Sequence, residues 1–163
     1  MIKYSLEMFC SALKVILAIL VGSLIIPVAM QVIARYTGLI PVYLWTEELA
    51  TFIFVWVVMI GSVIAVWEGS HFDVQVMSDS DNPLIFLIQK SIVHILVGTF
   101  GLLFAWYGLD YAKFGAIQHS VMMNANLLIT HITVPFAGLL WGVFSIFHLV
   151  EAIKQYLSHR RAI

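Results

Sequence analysis

The sequence predicts an all-α integral membrane protein, with four transmembrane helices in a single membrane domain over residues 1–163. Two observations predict this class. The chain is 62% hydrophobic and only 10% charged, whereas soluble domains usually carry about 25% charged residues. The charged residues also stand at the edges of long apolar runs, so we interpret these runs as membrane spans.

The N-terminal region combines a short polar segment with the first apolar run. The spacing of Leu6, Phe9, Leu13 and Leu17 predicts a short helix lying on the bilayer surface. The first span follows over about residues 15–34. A cleaved signal peptide is disfavoured, because the run exceeds the usual apolar core and no small-x-small site precedes its end. The lone Cys10 cannot form an internal disulfide, and we interpret it as a small apolar filler.

The second apolar run, over residues 49–67, contains no acid, base, amide or proline. At the helical rise of 1.5 Å per residue, about 20 such residues cross the ~30 Å hydrocarbon layer. Trp45 precedes the run as an aromatic suited to the headgroup level, and Thr46 is the predicted N-cap. Glu47 and Glu48 fall in the first turn, where the helix dipole favours negative charge.

The second half of the chain predicts two further spans. Asp81 or Asn82 is expected to cap the third helix, whose first turn holds Pro83, and the third span covers about residues 84–108. The mixed composition of residues 110–126 predicts a partly embedded loop or a short interfacial helix. The fourth span covers about residues 127–150 and is interrupted by Pro135.

The basic residues predict that both termini are cytoplasmic. With a cytoplasmic N-terminus, only Arg35 and Lys113 lie outside, and cytoplasmic segments are normally enriched in Lys and Arg. The six basic residues then inside are Lys3, Lys14, Lys90, Lys154, Arg160 and Arg161. The net charge of −1 and the scattered basic residues argue against a nucleic-acid partner.

The centres of all four spans lack Asp, Glu, Lys and Arg. A transporter that couples to ions by itself needs such intramembrane groups, so we expect that this chain alone transports nothing. At the first hairpin, Arg35 faces Glu47 and Glu48 across a short turn. Two interpretations stay open: the charges fix the hairpin or a partner, or Arg35 extends to the headgroups and the glutamates merely begin a helix.

Histidines suggest one alternative of a different class, a haem-bearing membrane anchor of an oxidoreductase. His94 and His148 fall in the same leaflet and could pair across a haem, but their neighbours in sequence are bulky. His71 with Glu68 and Asp73 could suggest a metal set, yet three such residues within one loop are a weak signal. We therefore expect no catalytic residue, cofactor or metal site.

An ordered set of residues runs through the first two spans and the loop after them: Gln31-x-x-x-Arg35-Tyr36, Trp45-Thr-Glu47-Glu48-Leu-Ala, Phe54-Val-Trp56, Gly61, Ala65, Gly69-x-His71 and Val74. This set resembles the small membrane subunit of TRAP (tripartite ATP-independent periplasmic) transporters. The resemblance is densest through the first two spans and continues at Gln118-x-Ser120 and Pro135-x-x-Gly138, although Val121 stands where the family commonly has proline. The matching residues that we take as candidates for structural or partner contacts are Gln31, Arg35, Trp45, Glu47, Glu48, Trp56, Gly61, Gly69, His71, Ser120 and Pro135.

The resemblance implies a multi-pass protein of the bacterial inner membrane. Its expected partners are a large membrane subunit, which holds the sodium and substrate sites, and a periplasmic substrate-binding protein. The implied cargo is an organic acid, of the C4-dicarboxylate, keto acid or sialic acid class. The small subunit itself is expected to act as a scaffold or anchor, which agrees with the uncharged span centres.

Overall fold

The computed structural model describes residues 2–38, 41, 43–69 and 83–161. Its helices are α1 (Ile2–Thr37), α2 (Trp45–Glu68), α3 (Pro83–Ala116), α4 (Leu128–His131) and α5 (Thr133–Arg161). Four helical stretches are long and apolar enough to cross a membrane: Lys3–Thr37, Trp45–Glu68, Leu87–Ala116 and Leu128–Ser158. These stretches confirm the predicted all-α class with four span-length helices.

The helices alternate in direction, so the bundle has two ends. One end carries the end of α1, the start of α2 and residues 117–127, and we call it the connection end. The other end carries the start of α1 and the end of α5, and we call it the terminus end. At the terminus end, α1 forms ion pairs with α5 and α2, through Lys3 with Glu151 at 3.0 Å and Lys14 with Glu68 at 2.6 Å.

The predicted surface helix at the N-terminus is not a separate element, because α1 is one helix of 36 residues. Such a helix is about 54 Å long, well beyond the ~30 Å hydrocarbon layer. Cys10 and Leu13 are buried and pack in the main hydrophobic cluster with Ile60 and Val63 of α2. The separate-helix prediction was therefore wrong, whereas the interpretation of Cys10 as an apolar filler is confirmed.

Helix α2 begins four residues before the predicted span and has no side-chain N-cap. The prediction for Thr46 was wrong, because this residue is already helical and its hydroxyl donates to the Tyr43 carbonyl at 2.7 Å. Glu47 and Glu48 do lie in the first turn. Gly69 ends the helix with a φ of +72°, a left-handed conformation that costs glycine little.

Helix α3 starts at Pro83, as predicted, and continues past residue 108 to Ala116; the predicted caps at positions 81 and 82 lie outside the described residues. Asp110 and Lys113 lie on the exposed surface of this extension and pair at 2.9 Å, so the charges that suggested a connection are accommodated on a helix. The third connection is therefore shorter than residues 110–126, and we describe it as residues 117–127.

This third connection contains no helix, so of the two forms predicted for it, a loop or a short interfacial helix, the loop is the one observed. Its backbone folds back on itself, with a bridge between His119 and Asn126 and a 2.8 Å bond from the Ser120 N–H to the Ala125 carbonyl. The Asn126 amide donates to the Ala116 carbonyl at 2.9 Å, and its oxygen accepts the Leu128 N–H at 2.7 Å. One asparagine thus satisfies backbone groups at two helix ends, so the connection needs no helix of its own.

The predicted interruption of the fourth span is confirmed. Helix α4 ends at His131, and Pro135 has no N–H to donate to the carbonyl of that residue. The interruption is small, because Ile132 between α4 and α5 keeps helical angles, with φ −65° and ψ −20°. The two helices therefore form one nearly continuous span.

Helices α3 and α5 approach so closely that their backbones touch. A Cβ added to Gly101 would lie 2.8 Å from the Gly138 carbonyl oxygen, and one added to Gly108 would lie 2.8 Å from the Pro135 nitrogen. Close backbone approach at small residues is the usual way in which membrane helices gain packing energy. We call this contact the small-residue seam; its α3 side comprises Gly98, Gly101, Ala105, Gly108, Ala112 and Gly115.

We predict that Gly138→Ala destabilises the protein and that Gly142→Ala does not. A Cβ at Gly138 would lie 2.5 Å from the Ala105 nitrogen, whereas one at Gly142 would meet nothing within 4 Å. Overpacking of this kind costs about 1–3 kcal/mol, while alanine in an open helical position gains up to about 1 kcal/mol over glycine. Thermal unfolding of the detergent-solubilised variants measures the difference, and equal midpoints would contradict the seam.

Candidate functional site

Glu48 joins α2 to the third connection at the connection end. Its two carboxylate oxygens accept the backbone N–H groups of Met122 at 3.0 Å and Met123 at 2.9 Å. The Ser120 hydroxyl and the Val121 N–H interact with the same carboxylate. Hydrogen bonds to an ionised acceptor are stronger than neutral ones, so Glu48 is a specific anchor for this connection.

The conformation of the third connection presents several backbone N–H groups to that one carboxylate. Asn124 turns the chain with a φ of +50°, and asparagine tolerates this left-handed conformation better than most residues. Ser120 is buried, and its hydroxyl oxygen accepts the Ala125 N–H at 3.1 Å. Successive N–H groups arranged in this way form an anion-binding concavity, which here is filled by a side chain of the same protein.

Gln31, Arg35 and Glu47 line a pocket between the last turns of α1 and the first turn of α2. Its volume is about 30 Å³, which leaves room for only one or two oxygen-sized groups. No ion pair within 4.0 Å joins Arg35 to Glu47 or Glu48, three residues that the structure describes. The adjacent glutamates therefore have different roles: Glu48 binds the third connection, and Glu47 faces the pocket.

The two candidate tryptophans have different surroundings. The Trp56 indole N–H donates to the Ile129 carbonyl at 3.1 Å, and its ring centroid lies 6.4 Å from that of Phe136. Trp56 thus joins α2 to the fourth span within the chain. Trp45 is 40% exposed and lies beside Tyr43, with 6.3 Å between the ring centroids.

Among the remaining candidates, those that the structure describes do not join the contacts of Glu48. A Cβ on Gly61 would lie 4.0 Å from a Leu17 methyl group, which is an ordinary packing distance between α1 and α2. Gly69 ends α2, and Pro135 belongs to the small-residue seam. His71 lies outside the described residues.

His94 and His148 come together as the sequence suggested, but their geometry does not fit a haem. The rings stack in direct contact, with centroids 5.4 Å apart and planes at 14°. A haem held by two imidazoles requires the iron between their nitrogens, and stacked rings leave no room for it. His148 Nε2 lies 3.0 Å from the Trp67 carbonyl oxygen, so this histidine donates to the last turn of α2.

Within the described ranges, no three His, Cys, Asp or Glu residues lie together as a metal site would require. The weak candidate set of Glu68, His71 and Asp73 is not addressed by this observation, because positions 71 and 73 lie outside those ranges. Glu68 itself pairs with Lys14.

Sequence reasoning missed the partners of Glu48 and the role of Asn126. The Met122 and Met123 donors are backbone groups, which carry no side-chain signal. Asn126 could have been found, since asparagine just ahead of an apolar run is a typical capping residue. The 3-and-4 spacing of glycine and alanine through residues 98–115 was also readable as a helix-packing stripe.

Comparison with known proteins gives one finding on the family. The family model described as "Tripartite ATP-independent periplasmic transporters, DctQ component" matches residues 24–155. The matched range includes the small-residue seam, the pocket and Glu48 with its connection. No curated protein matches the chain.

We predict that Glu48→Gln loosens the third connection and that Glu47→Gln leaves it unchanged. The glutamine amide removes the charge and places a donor where one of the two oxygens accepts a backbone N–H. Amide hydrogen exchange over residues 118–126 should accelerate about tenfold in the first variant. Equal exchange in both variants would show that the carboxylate of Glu48 does not hold the connection.

Proposed function

Because the chain belongs to the DctQ family, the small membrane component of TRAP transporters, we propose that it acts as a fixed scaffold and does not bind the transported substrate. It is a transport subunit and not an enzyme. Family membership implies a complex with the large membrane component, DctM, and with a periplasmic binding protein. Within that complex, the chain enlarges the fixed scaffold against which the transport domain of the large component moves.

The observation that carries this proposal is the absence of acidic and basic residues from the span centres of the sequence. A site for a carboxylate substrate and a coupling cation needs charged or unwound polar groups near the bilayer midplane. Two pockets in the described part of the chain give the same indication. The polar one has a volume of about 30 Å³, and the larger one, of about 310 Å³, is lined mainly by apolar and aromatic residues of α3; small-molecule sites usually span about 300–1,000 Å³ and include oriented polar groups.

The finer features of the proposed function rest on the family. We place the sodium and substrate sites in the large component and take the cargo to be an organic acid of the C4-dicarboxylate, keto acid or sialic acid class. The host membrane in this proposal is the inner membrane of a bacterium. The haem-bearing anchor is not retained, because His94 and His148 stack directly on each other.

The proposed orientation has both termini in the cytoplasm and the connection end in the periplasm. It is supported by the distribution of Lys and Arg, six against two, under the positive-inside rule. In this orientation, Glu48 and the third connection face the compartment of the binding protein. The pocket of Gln31, Arg35 and Glu47 lies in the periplasmic half.

Cysteine labelling tests the orientation. In a Cys10→Ala background, a membrane-impermeant reagent added from the periplasmic side should label Thr37→Cys and not Ser158→Cys. Both positions are exposed, so a difference reports the side of the membrane rather than burial. Labelling of Ser158→Cys alone would reverse the proposed topology.

Reconstitution tests the scaffold role. Proteoliposomes that contain the large component should take up substrate from the binding protein only when this chain is present. Arg35→Ala, or Glu47→Ala with Glu48→Ala, should lower the uptake rate without changing which acid or ion is carried, because these side chains lie far from any midplane site. Full uptake without the chain, or altered selectivity in a variant, would contradict the proposal.

A further inference from the structure

The pocket between α1 and α2 lies where a lipid headgroup would be. It is formed by the last two turns of α1 and the first turn of α2, so it stands at the end of two membrane spans. Exposed aromatic residues surround this level: Tyr36 is 82% exposed, Tyr43 43% and Trp45 40%. Tyrosine and tryptophan are enriched at headgroup depth in membrane proteins.

The pocket presents one positive and one negative side chain that do not neutralise each other. Arg35 and Glu47 both line it, yet no ion pair within 4.0 Å joins these two described residues. Each side chain is exposed rather than buried. A ligand that carries both charges could therefore meet each of them at once.

An unpaired donor lies deeper in the same pocket. The Gln31 Nε2 atom is buried and has no hydrogen-bond partner among the described residues. Gln31 stands one helical turn before Arg35, so both donors lie on the same face of α1. Buried polar groups are nearly always hydrogen-bonded, and this amide therefore indicates an acceptor that the described residues do not supply.

We propose that this pocket binds the phosphoethanolamine headgroup of a membrane phospholipid. A phosphate oxygen accepts from Gln31 Nε2 and from the Arg35 guanidinium, which is a strong partner for phosphate. The ammonium group of the same headgroup lies toward the Glu47 carboxylate. The volume of about 30 Å³ admits one or two phosphate oxygens, so the remainder of the headgroup stays at the mouth, at the level of the aromatic residues.

The pair of opposite charges distinguishes this headgroup from other sources of phosphate. An anionic phosphatidylglycerol supplies the phosphate but no cation for Glu47. Free inorganic phosphate meets the same carboxylate without any compensating positive charge. A zwitterionic lipid with a small primary ammonium satisfies Arg35 and Glu47 together.

Native mass spectrometry of the full-length, detergent-purified chain tests the proposal. The probes are dioleoyl phosphatidylethanolamine and dioleoyl phosphatidylglycerol, titrated separately. The wild-type chain should bind the first lipid about fivefold more tightly, as one additional charge-assisted contact predicts. Arg35→Gln should weaken both lipids, whereas Glu47→Gln should weaken only phosphatidylethanolamine and so remove the preference.

The exposed ion pair of α3 provides matched controls at the same end of the bundle. Lys113→Gln and Asp110→Asn make the same charge changes outside the pocket and should leave both affinities unchanged. If Arg35→Gln fails to fold, Glu47→Gln alone still decides the question, since no ion pair joins the Glu47 side chain to another described residue.

Three results would overturn the proposal. They are equal binding of the two lipids by the wild-type chain, an equal loss of binding in the control variants, and displacement of bound phosphatidylethanolamine by millimolar inorganic phosphate. The last result would assign the pocket to the free anion.

Discussion

A bilayer offers no hydrogen-bond partner to a backbone N–H or C=O group, and this constraint governs how α2 is joined to the fourth span. Side chains of α2 and of the fourth span form hydrogen bonds to backbone groups in the third connection and near helix ends. Glu48 accepts N–H groups from the third connection, Trp56 donates to a carbonyl of the one-turn helix α4, and His148 donates to the last turn of α2. These hydrogen bonds at turns and helix ends fix the α1–α2 pair to the second pair, which α3 forms with α4 and α5.

Helix α1 is held differently. It packs mainly on α2, and little of its apolar surface is buried inside the chain. Its two ion pairs at the terminus end are exposed, and such pairs contribute little to stability. A helix with this much uncovered apolar surface must meet lipid or another subunit, which is consistent with a scaffold that belongs to a larger membrane complex.

The sequence was sufficient to predict the number and approximate position of the spans, because an uncharged apolar run of about 20 residues is typical of a transmembrane helix. It was insufficient for the helix ends. Helices α1 and α3 continue beyond the hydrocarbon layer, where hydropathy no longer separates helix from loop, and the Asp110–Lys113 pair that signalled a connection is a helical pair. The importance of Glu48 followed from motif resemblance, but its actual partners are backbone amides, which composition cannot reveal. Gln31 and Arg35 were identified with Glu47, yet the absence of a direct ion pair became visible only in three dimensions.

The small-residue seam also restricts how the chain can change in evolution. At Gly101, Gly108 and Gly138, an added Cβ would meet backbone atoms of the facing helix, and no substitution can make a backbone smaller. A change on one helix therefore cannot be compensated by a change on the other. These glycines should therefore stay unchanged among related sequences, so pairwise covariation would under-report this contact.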